Sequence, residues 1–199
     1  MTIIEAKNIK KSFSVNQSSI EVIKGINCVI KEGDFVSIIG PSGSGKSTLL
    51  HILSGLEKPS SGDVFFLGKS IQSKDAKQKA KMRREDIGFV FQFYNLIPNL
   101  TVYENILLAT ALGKKKSREE IEQCLDRVGM LAFQTYYPNQ LSGGMQQKVS
   151  IARALINDPK VIFADEPTGN LDIENNLSVM ELFRELNKKE KKTIVMVTH

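Results

Sequence analysis

The most informative segment of the sequence is Gly40-Pro41-Ser42-Gly43-Ser44-Gly45-Lys46-Ser47-Thr48. It matches the phosphate-binding pattern G-x-x-x-x-G-K-[ST] and lies between an apolar run and a helical pattern. Glycines let successive backbone N–H groups point inward around an anion, and the helix N-terminus adds partial positive charge. Lys46 can reach the β- and γ-phosphates, and the Ser47 hydroxyl can ligate Mg²⁺. The stretch therefore predicts a binding site for a nucleoside triphosphate, and by itself it could belong to a kinase, a GTPase or a motor. A glycine-rich turn without a ligand is the alternative.

The segments around this loop predict an α/β protein with a helical insertion. The apolar run Phe35-Val36-Ser37-Ile38-Ile39 predicts a buried parallel strand. A helix is expected over 46–54, with leucines 49, 50 and 53 facing inward. Strands are expected over 3–9, 21–30, 63–67, 87–91, 161–164 and 193–197, helices mainly over 93–150, and a further helix over 173–187.

Two capping boxes support the helical insertion. Thr101 with Glu104, and Ser117 with Glu120, place a hydroxyl three positions before a carboxylate, so that each pair can satisfy free backbone amides reciprocally. Gly129 is expected to end the second helix.

Length and composition favour one globular domain, or one domain with an inserted subdomain. The 199 residues are 41% hydrophobic and 25% charged, which argues against disorder. The net charge of +5 permits an anionic ligand or a membrane surface and does not demand nucleic acid. With no apolar run near the ~18 residues of a membrane span and a charged N-terminus, a cytoplasmic protein is expected. Cys28 and Cys124 are expected to be buried, reduced thiols.

A pair of carboxylates follows a predicted strand. The run Val161-Ile162-Phe163-Ala164 ends in Asp165-Glu166, and ligands gather at the carboxyl ends of parallel strands. Asp165 is expected to hold Mg²⁺ beside Ser47, and Glu166 to polarise the attacking water. An apolar strand followed by Asp-Glu is commonplace by itself, so this interpretation depends on the phosphate loop.

The stretch Leu141-Ser142-Gly143-Gly144-Met145-Gln146-Gln147, followed by Ile151-Ala152-Arg153-Ala154-Leu155, resembles the signature motif of ATP-binding-cassette (ABC) ATPases. Physically it is a second anion site, in which a serine cap and two glycines open a helix. The resemblance implies a head-to-tail dimer in which Ser142 and Gly143 of one subunit close on the γ-phosphate held by the other. The residues implied to act in trans are Leu141, Ser142, Gly143, Gly144 and Gln146.

Further positions agree with this family one by one. The resemblance implies that Phe13 stacks on adenine, although an ordinary strand aromatic is the alternative. It implies that Gln92 touches Mg²⁺ and couples to a transmembrane partner, and that His199 contacts the γ-phosphate. Asn170-Leu171-Asp172 matches the loop that crosses the dimer interface. The expected catalytic residues are Glu166, His199 and Lys46; the expected metal ligands are Ser47, Gln92 and Asp165.

The resemblance also implies an architecture. It predicts a P-loop NTPase (RecA-like) core with an N-terminal antiparallel β subdomain and an inserted α-helical signature subdomain. Residues 1–199 are expected to be one ABC ATPase domain, with 1–92 and 151–199 as the catalytic core and β subdomain and 93–150 as the helical part. Family members continue past the switch histidine, so a chain shortened after His199 is expected.

A narrower resemblance lies in Phe91-Gln92-Phe93-Tyr94-Asn95-Leu96-Ile97-Pro98 and in residues 164–172. These segments are similar to the subfamily that serves macrolide export, lipoprotein release and antimicrobial-peptide resistance. This implies Mg-ATP hydrolysis by a homodimer that drives a transmembrane permease from the inner face of the membrane. The alternative is a cell-division-type ATPase that regulates a membrane partner without transport; nucleic acid is not an expected partner. Met145 and Lys148 depart from the usual Gln and Arg, with little expected loss of hydrolysis.

Two weaker signals remain. The basic segment from Lys74 to Arg84 is expected to be a solvated helix face or loop, with anionic lipid or a permease loop as the alternative contact. His51 is expected to pack or to face solvent, without a ligand cluster around it.

Overall fold

The computed structural model describes residues 1–15, 18–111 and 115–198, which form two four-stranded sheets and six α-helices. His199 lies outside the described residues.

The first sheet is antiparallel and comes from the N-terminal part of the chain. Its strands are β1 (Thr2–Val15), β2 (Ser18–Lys31), β4 (Ser61–Phe66) and β5 (Lys69–Ser70), in the order β2-β1-β4-β5. β1 pairs with β2 on one side and with β4 on the other, with several register shifts along the way. The predicted β-rich N-terminus is confirmed, and its two long strands extend beyond the predicted ranges.

The second sheet is parallel and carries the phosphate loop. Its strands are β3 (Phe35–Ile39), β6 (Ile87–Phe91), β7 (Val161–Asp165) and β8 (Thr193–Thr198), in the order β3-β8-β7-β6. All three pairings are parallel, so the carboxyl ends of the strands meet at one edge of the sheet.

The prediction that residues 35–39 form a buried strand is half wrong. The strand and its parallel pairing are confirmed, but β3 is only partly buried, and Ile39 is 71% exposed. The physical reason is its place at the end of the strand order, where β8 covers one side of it. The interior strand β7 is instead the fully buried one over residues 161–164.

The helices begin and end close to the predicted signals. They are α1 (Lys46–Leu53), α2 (Ala76–Glu85), α3 (Val102–Ala111), α4 (Arg118–Arg127), α5 (Gly143–Leu155) and α6 (Ile173–Glu190). Short 3₁₀ turns lie at Leu131–Phe133 and Pro138–Gln140. Both predicted capping boxes form, at Thr101 with Glu104 and at Ser117 with Glu120. Gly129, just past α4, has a φ of +71°.

Two apolar cores hold the elements in place. One lies between the two sheets around α1, where Leu49, Leu50 and Leu53 are buried as predicted. The other joins α3, α4, α5 and α6 to the opposite face of the parallel sheet. The sheet edge that carries the phosphate loop is therefore supported from both faces.

The cysteines only partly follow the prediction. Both are free thiols, and Cys124 is buried, but Cys28 on β2 is only half-buried. Burial raises the pKa of the Cys124 thiol to about 11. Among residues 1–15, 18–111 and 115–198, no helix combines the length and apolar character needed to cross a bilayer.

Candidate functional site

The carboxyl edge of the parallel sheet holds a cavity of about 230 Å³. Ser47 from the start of α1 and Asp165 from the end of β7 line it, and the Ser47 hydroxyl donates to Asp165 Oδ1 at 2.8 Å. The other lining residues are Phe91, Gln92, Phe93, Asn95 and Glu166. The two segments that the sequence assigned to phosphate and metal binding thus meet at one point.

The phosphate loop has the curled backbone that its glycines predict. Gly43 and Gly45 have φ of +77° and +91°, in the region that glycine occupies without strain. Gly45 is the N-cap of α1, and as a glycine it has no side chain with which to cap the helix. A Cβ at Gly45 would lie 2.7 Å from Val22 Cγ1 on β2, so the loop passes very close to the antiparallel sheet. Because its N-cap is a glycine, the first backbone N–H groups of α1 donate no hydrogen bond to an N-cap side chain.

Lys46 is buried within this loop and only 7% exposed. Its ammonium group donates to the carbonyl oxygens of Gly40 at 2.8 Å and Pro41 at 3.1 Å. These bonds hold a positive charge inside the curl of backbone amides. A buried ammonium ion next to an anion nest is suited to polyphosphate binding.

Glu166 follows Asp165 at a sharp backbone turn. Its φ is +45°, in the left-handed region, which is unusual for a glutamate. Its backbone N–H donates to Val197 O on β8 at 3.1 Å, which fixes the peptide against the neighbouring strand. The turn places Glu166 in the lining of the cavity, next to Asp165.

Gln92 and Asn170 join two of the predicted functional loops. The Gln92 side chain donates to Asn170 Oδ1, and the Asn170 side chain donates to Gln92 O, each at 3.3 Å. A Cβ at Gly169 would lie 2.8 Å from Gln92 Nε2, so a larger residue there would displace the end of the Gln92 side chain. The next residues, Leu171 and Asp172, lead into α6, where Asp172 caps the helix by accepting from Asn175 N at 2.8 Å. Hydrogen bonds from the backbone N–H and the side-chain amide of Asn175 hold the pKa of Asp172 below its usual range.

The signature segment opens a helix as predicted. Ser142 is the N-cap of α5, and its Oγ accepts from Met145 N at 3.3 Å. The Gln146 side chain folds back and donates to Leu141 O at 3.2 Å.

The signature glycines lie against neighbouring side chains. A Cβ at Gly143 would lie 2.7 Å from the Tyr94 hydroxyl, and one at Gly144 would lie 2.1 Å from Asn175 Oδ1. Neither Tyr94 nor Asn175 lines the cavity beside Ser47. The segment around Tyr94 therefore borders both places, since Tyr94 lies next to Gly143 while Phe93 and Asn95 line the cavity.

Sequence reasoning did not assign a role to Gln147, which is fully buried on α5. Its side-chain amide donates to Pro167 O at 2.6 Å and to Phe91 O at 3.2 Å. One side chain thus connects the signature helix to the ends of both β6 and β7. Its place directly after Gln146, within the signature stretch, was the signal that the sequence offered.

Arg153, also on α5, holds the segment that follows Gln92. Its guanidinium donates to Tyr94 O at 2.8 Å and to Asn95 O at 2.5 Å. Burial lowers the pKa of Arg153 from its usual range, and burial likewise raises the pKa of the Tyr94 hydroxyl. The helix that starts at the signature therefore fixes the backbone of the cavity's rim.

Phe13 lies on β1, 39% exposed, as a stacking residue would need to be. The Lys11 ammonium lies 4.8 Å from its ring centroid and also donates to Glu57 Oε1 at 2.5 Å. That hydrogen bond lowers the pKa of Glu57. The assignment of Phe13 to adenine stays a prediction.

His51 packs, as expected, with its side chain 34% exposed, but its neighbour was not foreseen. Its Nε2 is buried and lies 3.5 Å from Asp165 Oδ2, at the predicted metal site. The reason is helical geometry, since His51 follows Ser47 by four positions and shares its face of α1. That spacing was the signal that could have revealed it. The predicted role of His199 concerns a residue outside the described part of the chain.

Comparison with known proteins agrees with this geometry. The sequence pattern described as "ABC transporter" matches residues 23–169. The chain is 44% identical to the lipoprotein-releasing system ATP-binding protein LolD of Legionella pneumophila, over 99% of this chain and 88% of that protein. It is also 44% identical to the bacitracin export ATP-binding protein BceA of Halalkalibacterium halodurans, over 100% of this chain and 80% of that protein.

A solved structure has the same fold. The ATP-binding cassette MJ0796, in a dimeric post-hydrolysis state bound to ADP and Pi, superposes with a TM-score of 0.90 at 43% identity. The match covers 99% of this chain and 88% of that one. The mixed α/β fold predicted from the sequence is thereby confirmed.

Proposed function

The chain belongs to the ABC transporter family as an ATP-hydrolysing cassette that works as a dimer with a membrane permease, and from this premise we propose that it drives the export or extraction of a lipophilic or peptide-like cargo. The cargo class is an antimicrobial peptide, a macrolide or a lipoprotein. In this proposal, ATP hydrolysis takes place at the inner face of the membrane, next to the permease that spans the bilayer.

The observation that carries the assignment of the site is the hydrogen bond between Ser47 and Asp165. It brings a hydroxyl and a carboxylate together beside Lys46 and the free amides of α1. Mg²⁺ prefers oxygen ligands and commonly uses one or two carboxylates together with substrate phosphates. The residues present fit this ion, with Ser47, Asp165 and the Gln92 amide as its protein ligands. When bound, Mg²⁺ would neutralise charge on the β- and γ-phosphates.

The remaining steps fall to the side chains and backbone. The amides of residues 43–48 and the Lys46 ammonium hold the phosphates, and Phe13 stacks on adenine. Glu166 accepts a proton from the attacking water while the oxygen of that water bonds to the γ-phosphorus. The bond from that phosphorus to the bridging oxygen breaks, which gives ADP and phosphate. We assign contact with the γ-phosphate to His199 as well.

The second anion site completes the active site in trans. Leu141, Ser142, Gly143, Gly144 and Gln146 of one subunit close on the nucleotide held by the other. The loop Asn170-Leu171-Asp172 crosses the interface between them. One ATP already has a complete phosphate loop, so the presence of a second anion site supports binding across an interface. Residues 93–150 form the helical subdomain in this proposal, although α5 itself continues to Leu155.

Substitution of Glu166 tests the catalytic part. We expect Glu166→Gln to retain ATP binding and to slow hydrolysis by about 10²-fold or more, as loss of a general base does. Glu174→Gln, an exposed acid in the first turn of α6, is the matched control and is expected to hydrolyse ATP normally. Hydrolysis by Glu166→Gln at the unsubstituted rate would show that the assignment is wrong.

The transport part needs a different measurement. Tagged Glu166→Gln protein is purified with ATP from detergent-solubilised membranes, and its partners are identified by mass spectrometry. Recovery of a permease supports transport, and the identity of that permease narrows the cargo. Recovery of a division protein, or of no membrane protein, contradicts transport and leaves the ATPase assignment intact.

A further inference from the structure

We propose that His51 is a positioning residue that orients the carboxylate of Asp165 for the metal; this rests on the proposed Mg-ATP site. The two oxygens of Asp165 have different neighbours. Oδ1 accepts from the Ser47 hydroxyl at 2.8 Å, and Oδ2 lies 3.5 Å from His51 Nε2. The carboxylate is therefore flanked on both sides by polar groups of the same helix.

The geometry of α1 explains how one helix reaches both oxygens. Ser47 and His51 are four positions apart, so their side chains lie one above the other on the same helix face. Asp165 is the last residue of β7, and α1 packs against β7 and β8 at this point. The strand end delivers the carboxylate directly to that face of the helix.

The state of the His51 ring nitrogen points to a function. Nε2 is buried, and among the described residues it makes no hydrogen bond of normal geometry. The ring as a whole is 34% exposed, so its buried edge is the one that faces Asp165. Buried polar atoms are nearly always hydrogen-bonded, and each exception calls for an explanation. A shift of about 0.5 Å would bring Nε2 within ordinary bonding distance of Oδ2.

A neutral imidazole is sufficient for this role. With its proton on Nε2, His51 donates to Oδ2 and limits rotation of the carboxylate. Asp165 is then held in the orientation that serves the metal, at no cost in local charge. Outer partners that orient metal ligands typically contribute about 10- to 100-fold in metal affinity.

The test compares His51→Leu, which removes the donor, with His51→Gln, which restores one. Binding of the non-hydrolysable ATP analogue AMP-PNP is measured by calorimetry, first in EDTA and then across a Mg²⁺ titration. For His51→Leu we expect unchanged affinity in EDTA and about a tenfold or greater rise in the Mg²⁺ concentration needed for half-maximal enhancement. His51→Gln is expected to recover most of this loss. Should His51→Leu not fold, His51→Phe keeps the ring shape without the nitrogen.

Two outcomes would overturn the proposal. One is an unchanged Mg²⁺ requirement in His51→Leu or His51→Phe. The other is an equal loss of affinity with and without Mg²⁺, which would indicate a purely structural role. Failure of the proposed site itself is distinguishable, because it would appear in the unsubstituted chain. There, Mg²⁺ would not enhance AMP-PNP binding, and Asp165→Asn would have no effect.

Discussion

Two helices of this protein begin with glycines at sites assigned to the same phosphate group, yet their first turns differ. α1 starts after Gly45, which has a left-handed backbone and offers no capping side chain. α5 starts after Ser142, which has an extended backbone and whose hydroxyl caps Met145 N. A helix start without a cap leaves its amides for a ligand, whereas a capped start has already satisfied one of them.

The glycines of the two regions are required for different reasons. Gly43 in the phosphate loop has a positive φ, and no atom of the described residues lies within 4 Å of where its Cβ would be. Gly144 in the signature lies against Asn175 of α6, with no room for a Cβ. The first glycine shapes a loop around a ligand, and the second allows two helices to approach. We infer that the phosphate loop binds alone and that the signature contributes only when another surface supplies the nucleotide.

The sharpest test of this difference is Lys46→Ala. Loss of a charged hydrogen-bond donor of about 1.5–3 kcal/mol is expected to weaken AMP-PNP binding by the dilute monomer about 10- to 150-fold. Lys77→Ala on the exposed face of α2 is the matched control and should bind normally. Calorimetry measures the affinity of both variants for AMP-PNP. Unchanged binding by Lys46→Ala would contradict the inference that the phosphate loop of a single chain binds the nucleotide.

The glycine comparison predicts a stability difference. Gly144→Ala is expected to lower the free energy of unfolding by about 1–3 kcal/mol, because overpacking must separate α5 from α6. Asn175→Ala should recover part of that loss in the double variant, since it removes the atoms at 2.1 and 2.5 Å. Gly43→Ala has no such partner, so its cost comes from backbone strain and Asn175→Ala should not relieve it. Urea unfolding measures the free energy of unfolding of each variant. If Asn175→Ala restored the stability of Gly43→Ala and Gly144→Ala equally, the two glycines would not be required for different reasons.

The smallest expected effect is that of Ser142→Ala. Loss of the cap should lower the free energy of unfolding by about 1 kcal/mol and leave AMP-PNP binding by the dilute monomer unchanged. Ser178→Ala, exposed on α6, serves as the control for stability. If Ser142→Ala weakened monomer binding as strongly as Lys46→Ala, the two helix starts would not differ in the way described.

Local patterns allowed much of the fold to be predicted. The phosphate loop, the capping boxes and the alternation of strands and helices depend on neighbouring residues, which the sequence lists in order. The ladder of parallel strands then brought Ser47 and Asp165 together as expected. The exposure of β3 depends instead on which strand pairs beside it, which no local pattern states.

The contacts that were missed join residues far apart in the chain. Gln147 reaches the ends of two strands, and His51 reaches the end of β7. Each depends on how helices dock on the sheet, since helix periodicity gives the face but not the partner. The sequence shows that both residues are polar, but only the structure shows that their polar atoms are buried.

The backbone turn at Glu166 has a consequence for engineering the protein. A left-handed conformation costs a glutamate roughly 1 kcal/mol that glycine would not incur. Backbone strain by itself therefore favours Gly or Asn at this position, where either would abolish the proposed general base. A directed-evolution campaign that screens for melting temperature without screening for turnover would drift toward well-folded, inactive variants through this single codon.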